Sequence, residues 1–133
     1  MHDIQWKQSF RDFEKAFHKL KDAVSAYKQD SENELVQTAL IKAFEYTFEL
    51  GWIVIKDYLE FNNVFVELVH EVIEAGFRLN LISSGKLWME MREHKKSASE
   101  IISEEAASLL IAKIIDSFLP EFEQVYAYLS ESL

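Results

Sequence analysis

Residues 39–59, ALIKAFEYTFELGWIVIKDYL, restrict this chain's fold more than any other stretch. They hold one Gly, no Pro and five aromatic rings: Phe44, Tyr46, Phe48, Trp52 and Tyr58. Apolar residues at 36, 40, 44, 48, 52, 55 and 59 recur at helical spacing and mark one face. Ile41, Tyr46, Leu50, Ile53 and Val54 cover much of the remainder. A helix that is apolar nearly all round is buried on more than one side. The spacing therefore predicts the central helix of an all-α domain, with either three neighbours or two neighbours and an oligomer interface. Phe48 and Trp52 are the candidate interface residues. Glu45 and Glu49 lie one turn apart inside this helix, and carboxylates buried there need partners.

The rest of the chain reads as helices as well. Trp6, Phe10, Phe13, Phe17, Leu20 and Val24 alternate steps of four and three, the seam of a bundle contact over residues 4–28. Lys7, Arg11, Lys15 and Lys19 step by four along another face, which reads as solvated. Ser31 with Glu34 matches a capping box opening a helix over 32–60. Asn62-Asn63 break it, and a third helix is expected over 65–79 with Val66, Val69, Ile73 and Phe77 inward. Gly76 inside that pattern suggests close packing, and Asn80 suits the left-handed stop. Leu81-Ile82 reads as a buried connector. Ser83 or Ser84 caps a short helix from Gly85 to about 95, with Leu87, Trp88 and Met91 inward. Residues 96–102 read as a loop. Ser99 or Ser103 caps the last helix, whose seam is Leu109 or Leu110 with Ile111, Ile114, Ile115 and Phe118. Pro120 should kink or restart it. The expected architecture is an up-and-down four-helix bundle with an additional short helix, in one domain spanning 1–133.

Composition limits the function. The 133 residues contain 3 Gly, 1 Pro and no Cys, so turn chemistry for an all-β fold, disulfides and thiolate metal sites are missing. The polar start, MHDIQWKQSF, reads as no signal peptide, and no apolar run reaches a membrane span, so a soluble cytoplasmic protein is expected. A net charge of −9 argues against indiscriminate nucleic-acid binding, although residues 1–29 and 83–99 each carry +2. There is no glycine-rich phosphate loop. Glu67-Leu-Val-His70 is the single Glu-x-x-His match, where a di-metal bundle needs two, so neither metal nor cofactor is expected.

Two segments carry a resemblance. ALIKAFEYTFELGWIVIKDYLE (39–60) and AGFRLNLISSGKLWMEMRE (75–93) resemble the nucleotidyltransferase substrate-binding protein family, the HEPN-type partners of minimal nucleotidyltransferases. The resemblance implies a homodimeric helical bundle that pairs with a minimal nucleotidyltransferase encoded nearby, in a toxin–antitoxin-like module. It also implies, in active members, an RNA-cleaving Arg and His and a modifiable Tyr. Here Arg92 keeps the Arg, the His position is Ser97 and the Tyr position is Ser99. His94 is two residues from Arg92, which on a helix turns it about 200° away. Metal-free RNA cleavage needs a group that moves a proton near neutral pH, and Ser does not supply one. Arg92 alone retains the donor fork for a phosphate, hence an expected contact with nucleotide or RNA. Equally, Arg92 is expected to pair with Glu45 or Glu49. The reading is a non-catalytic accessory subunit. The alternatives are a HEPN-type ribonuclease toxin using Arg92 and His94, and a stand-alone helical interaction protein.

Overall fold

The computed structural model describes residues 2–98 and 103–133. They form an all-α helical bundle in the order α1 (His2–Gln29), α2 (Glu34–Phe61), α3 (Val69–Arg78), α4 (Gly85–Ala98), α5 (Glu104–Lys113), a π-helical turn (Ile114–Phe118) and α6 (Leu119–Ser132). Of the loop expected at 96–102, residues 96–98 continue the helix, and residues 99–102 lie outside the described residues.

α1 and α2 form the most extensive helix pair. They run antiparallel. Near one end Gln5 Nε2 donates to Asp57 Oδ1 (3.1 Å), and near the middle Thr47 Oγ1 donates to the Ala16 carbonyl (3.1 Å). The α1 seam behaves as the spacing predicts: Trp6, Phe10, Phe13, Phe17, Leu20 and Val24 are all buried. Arg11, Lys15 and Lys19 face solvent, and Lys7 pairs with Asp3 at 3.2 Å. The α2 N-cap is a correction. Asn33, not Ser31, accepts from the backbone N–H groups of Leu35 (2.9 Å) and Val36 (3.4 Å). Both residue types cap well, and the helix starts where the side-chain oxygen meets its orphan donors.

α2 packs against α1, α3, α4 and α5, and its Phe44 and Tyr58 rings also meet Phe122 and Tyr128 of α6, so it has more neighbours than expected. Leu40, Ile41, Phe44, Phe48, Val54, Ile55 and Leu59 are buried in it. Phe48 is only 2 % exposed and lies 5.9 Å from Trp88, so it belongs to this chain's own core. Trp52 stays half-buried. Glu45 and Glu49 are also less buried than expected, since both lie on the flank of the helix; the Glu49 side chain is 40 % exposed. The acid buried in α2 is Asp57.

α3 begins at Val69, four residues later than the spacing suggests. Glu71 reaches back to accept from Leu68 N–H at 3.1 Å, which sets that start. Its buried face is Val72, Ile73, Ala75 and Gly76, whereas Phe77 is exposed. Gly76 is a close-approach site as expected: a Cβ there would lie 2.9 Å from Ile82 Cδ1 and 3.3 Å from Ile55 Cγ2. Asn80 (φ 65°) takes the left-handed stop, and Leu81 and Ile82 are buried. Ser84 caps α4 by accepting from Leu87 N–H (3.2 Å), leaving Ser83 to bind α6.

Ser103 caps α5, accepting from Ala106 N–H at 3.1 Å. Leu110 fills the seam and Leu109 is exposed. Pro120 restarts the helix, as expected, in the first turn of α6. The backbone widens into the π turn just before it. A Pro ring clashes with the carbonyl four residues back, and a wider turn removes that contact.

Trp88→Ala should lower the unfolding free energy by about 3–5 kcal/mol, because it empties a fully buried site between Phe48 and Phe122. Leu109→Ala should change it by less than about 0.5 kcal/mol. Urea titration of both variants checks the contrast.

Candidate functional site

α4 divides its side chains cleanly between core and surface. Trp88 and Met91 are fully buried. Gly85, Met89 and Arg92, at steps of four and three, lie on another face and line a groove of about 360 Å³ with His70, Ile73, Glu74 and Phe77 of α3. α3 and α4 are joined by a short turn, and a Cβ built on Gly85 would sit 3.8 Å from Phe77. Phe77 and Gly85 therefore mark the end near the turn. The antiparallel hairpin then puts His70 and Arg92 at the far end, with Glu74 and Met89 between.

Three hydrogen bonds of Ser83 fix the turn that sets this geometry. Ser83 Oγ donates to both carboxylate oxygens of Glu121 (3.2 and 3.0 Å), and Ser83 N–H donates to Gln124 Oε1 (3.0 Å). Glu121 is only 8 % exposed, so these bonds hold the start of α4 against α6.

Arg92 is half-buried, and its guanidinium has no hydrogen-bond or ion-pair partner among the described residues. The expected pairing with Glu45 or Glu49 is not formed. Glu49 instead pairs with Lys95 at 3.2 Å, and Glu90 with Lys113 at 3.1 Å. Lys95, one turn beyond Arg92, reaches Glu49 on α2, while Arg92 lines the groove with α3. Arg92 and His94 are not brought together either. The His94 ring lies 5.8 Å from Phe118 in the π turn, while Arg92 faces the groove. Ser97 falls within α4, and Ser99 lies outside the described residues.

The groove thus has a fork of fixed donors at one end, an imidazole beside it, a carboxylate midway and an exposed ring at the other end. It can hold an anion bidentately and seat a flat apolar body. Among the described residues, no three His, Asp or Glu side chains are grouped to hold a metal ion. His70 is the residue that sequence reasoning missed here. The Glu67–His70 spacing by itself reads as a metal motif, while His70, Ile73, Glu74 and Phe77 mark one helix face.

A second polar cluster was also missed. Asp57, 6 % exposed, accepts from Ser9 Oγ and Gln5 Nε2, tying α1 to α2. The available signal was an acid flanked one turn either way by Val54 and Phe61 on α2. Across the bundle, Tyr126 Oη donates to Glu14 Oε2 at 2.8 Å. That bond, followed by burial, holds the Tyr126 phenol above its usual range.

The bundle and groove define an all-α protein with a concave site between two adjacent helices. The chain belongs to the family described as nucleotidyltransferase substrate binding protein like, whose model matches residues 8–131. Among curated proteins no match is found.

Asp57→Ala should cost about 1–3 kcal/mol, since two donors lose a buried acceptor, whereas Glu49→Ala should cost less than about 1 kcal/mol because its pair is open to water. Chemical denaturation distinguishes them. Tyr126 is raised in the folded state, so its contribution is complete below the unfolded phenol value of about 10 and is lost as pH rises through the folded value. Tyr126→Phe should flatten the fall of melting temperature above about pH 10.

Proposed function

We propose that this chain is a non-catalytic, substrate-binding subunit of a nucleotidyltransferase. The observation that carries the reading is the family match over nearly the whole chain, joined to a groove whose one fixed cation, Arg92, has no partner among the described residues. The partner is a minimal nucleotidyltransferase encoded nearby, in a HEPN and toxin–antitoxin-like pair, and the chain acts in the cytoplasm as a single-domain homodimer. The transferase brings the nucleotide chemistry; this chain adds surface, charge and Arg92 to a shared cleft. The turning of His94 onto Phe118 supports a binding role over RNA cleavage, because it separates the imidazole from Arg92. The part of α2 available to a second copy is its outer arc, where Tyr46 is exposed and Trp52 half-buried. Among the described residues no helix is long and apolar enough to cross a membrane.

Affinity purification of the tagged chain from its native host, with mass spectrometry of what is retained, should recover a small nucleotidyltransferase in stoichiometric amount. Recovery of the chain alone would remove the main support for an accessory role. Incubation with RNA gives the opposing result its own readout: cleavage by the unmutated chain that disappears in Arg92→Ala would favour a ribonuclease.

A further inference from the structure

A second concavity, apart from the α3–α4 groove, lies at the end of the bundle where α2 stops. Its volume is about 270 Å³. The end of α2 supplies Tyr58 and Leu59, the segment after it Val64, the α3–α4 turn Leu79 and Leu81, and α6 Tyr128. Leu59 and Leu81 are buried, and the Tyr58 and Tyr128 rings meet edge to face at 6.1 Å. Large apolar side chains stay in water around this pocket. Leu79 is exposed, as is Phe61, whose ring lies 6.2 Å from Tyr58. Phe65 and Leu68 are exposed in the segment that follows Val64. Single exposed apolar residues are ordinary, but a cluster of them around a pocket is the composition of a protein interface.

Size and position narrow the occupant. The volume falls below the roughly 300–1,000 Å³ usual for small-molecule sites and suits one large side chain. The pocket also shares the α3–α4 turn with the groove. Leu79 lies two residues after Phe77, which marks the turn end of the groove, and Leu81 lies four residues before Gly85. A protein anchored on the pocket therefore sits beside the groove. A subunit that presents a substrate must hold its catalytic partner against the site that presents it. Neither Tyr46 nor Trp52 lines the pocket, so it leaves the outer arc of α2 to a second copy.

We infer that this pocket is where the transferase docks, by inserting one large apolar or aromatic side chain between Tyr58, Tyr128 and Leu79. Phe61, Phe65 and Leu68 are then covered around the anchor and keep water from it. The net charge of −9 favours Lys or Arg beside that anchor, because opposite charge steers association and like charge opposes it. This rests on the accessory-subunit reading for the identity of the partner, and on the pocket for where it docks.

The test uses the nucleotidyltransferase identified by mass spectrometry in the native co-purification, expressed separately and titrated calorimetrically with the full chain. Leu79→Glu should weaken binding by about tenfold or more, since it places a carboxylate in the wall that the anchor covers. Leu79→Ala removes the wall without adding charge and supplies a folded variant if the glutamate form is unstable. It should weaken binding by about fivefold or more. Leu109→Glu, on the exposed face of α5, should leave the affinity unchanged. Hydrogen exchange of the complex should slow residues 62–68 and 79–84. On the transferase it should slow a segment with a large apolar side chain beside Lys or Arg. Unchanged affinity in folded Leu79 variants, protection confined to other faces, or a protected transferase segment without such an anchor would each overturn the inference and leave the accessory role standing. A Leu79→Glu effect on self-association alone, with transferase binding intact, would give the pocket to a second copy and overturn it as well. If the unmutated chain binds no transferase, the accessory reading itself fails and the docking site falls with it.

Discussion

The contact between Gly51 and Trp88 is the constraint on which the rest of the molecule depends. A Cβ at Gly51 would lie 3.2 Å from Trp88 Cη2 and 3.3 Å from Phe13 Cε1, so α1, α2 and α4 meet where α2 has no side chain. The indole then lies edge-on to Phe122 at 5.6 Å and beside Phe48 at 5.9 Å. One ring thereby joins α4 to α2 and α6. Its Nε1–H has no acceptor among the described residues, so packing rather than hydrogen bonding holds it. Because Trp88 and Met91 must face inward, the helical period leaves Met89 and Arg92 to face α3. The site is a consequence of how the core is filled.

Polar bonds supply the register that apolar packing does not. Thr47 Oγ1 donates to the carbonyls of Ala43 (2.7 Å) and Ala16 (3.1 Å), and Asp57 takes donors from Ser9 and Gln5. These bonds set the height of α1 against α2. Ser83 with Glu121 and Gln124 does the same for the α3–α4 turn against α6. Buried polar groups are costly unless their partners are in place, so such bonds favour one alignment over neighbouring slips. The α3–α4 hairpin is consequently held at its turn and its core face, while the groove between the two helices stays open.

Much of this was legible beforehand. The α1 seam, the Asn62-Asn63 break, Asn80, Gly76, the buried Leu81-Ile82 connector and the inward Trp88 all follow from period and turn chemistry. The less legible features share a cause. Phe77 keeps the helical step of α3 but sits on the groove, and Leu109 lies one position off the seam of α5. Period identifies an apolar stripe without saying how wide a strip the neighbours cover. Burial of Glu45 and Glu49 is the expectation from an α2 apolar on most sides, yet the helices packed around it still leave its flank wet.

The sequence by itself determined the helices, their order and their inward faces, because 3.6-residue periodicity and capping are local properties of the chain. It also carried the family, through the 39–60 and 75–93 segments. Only the tertiary structure decided what Arg92 meets. Whether an arginine reaches a glutamate on α2, a histidine two residues away or a groove on α3 depends on how one helix is rotated against its neighbours. That rotation is set by Trp88 against Gly51 and by Ser83 against Glu121, contacts between residues 37 and 38 positions apart that no local pattern encodes.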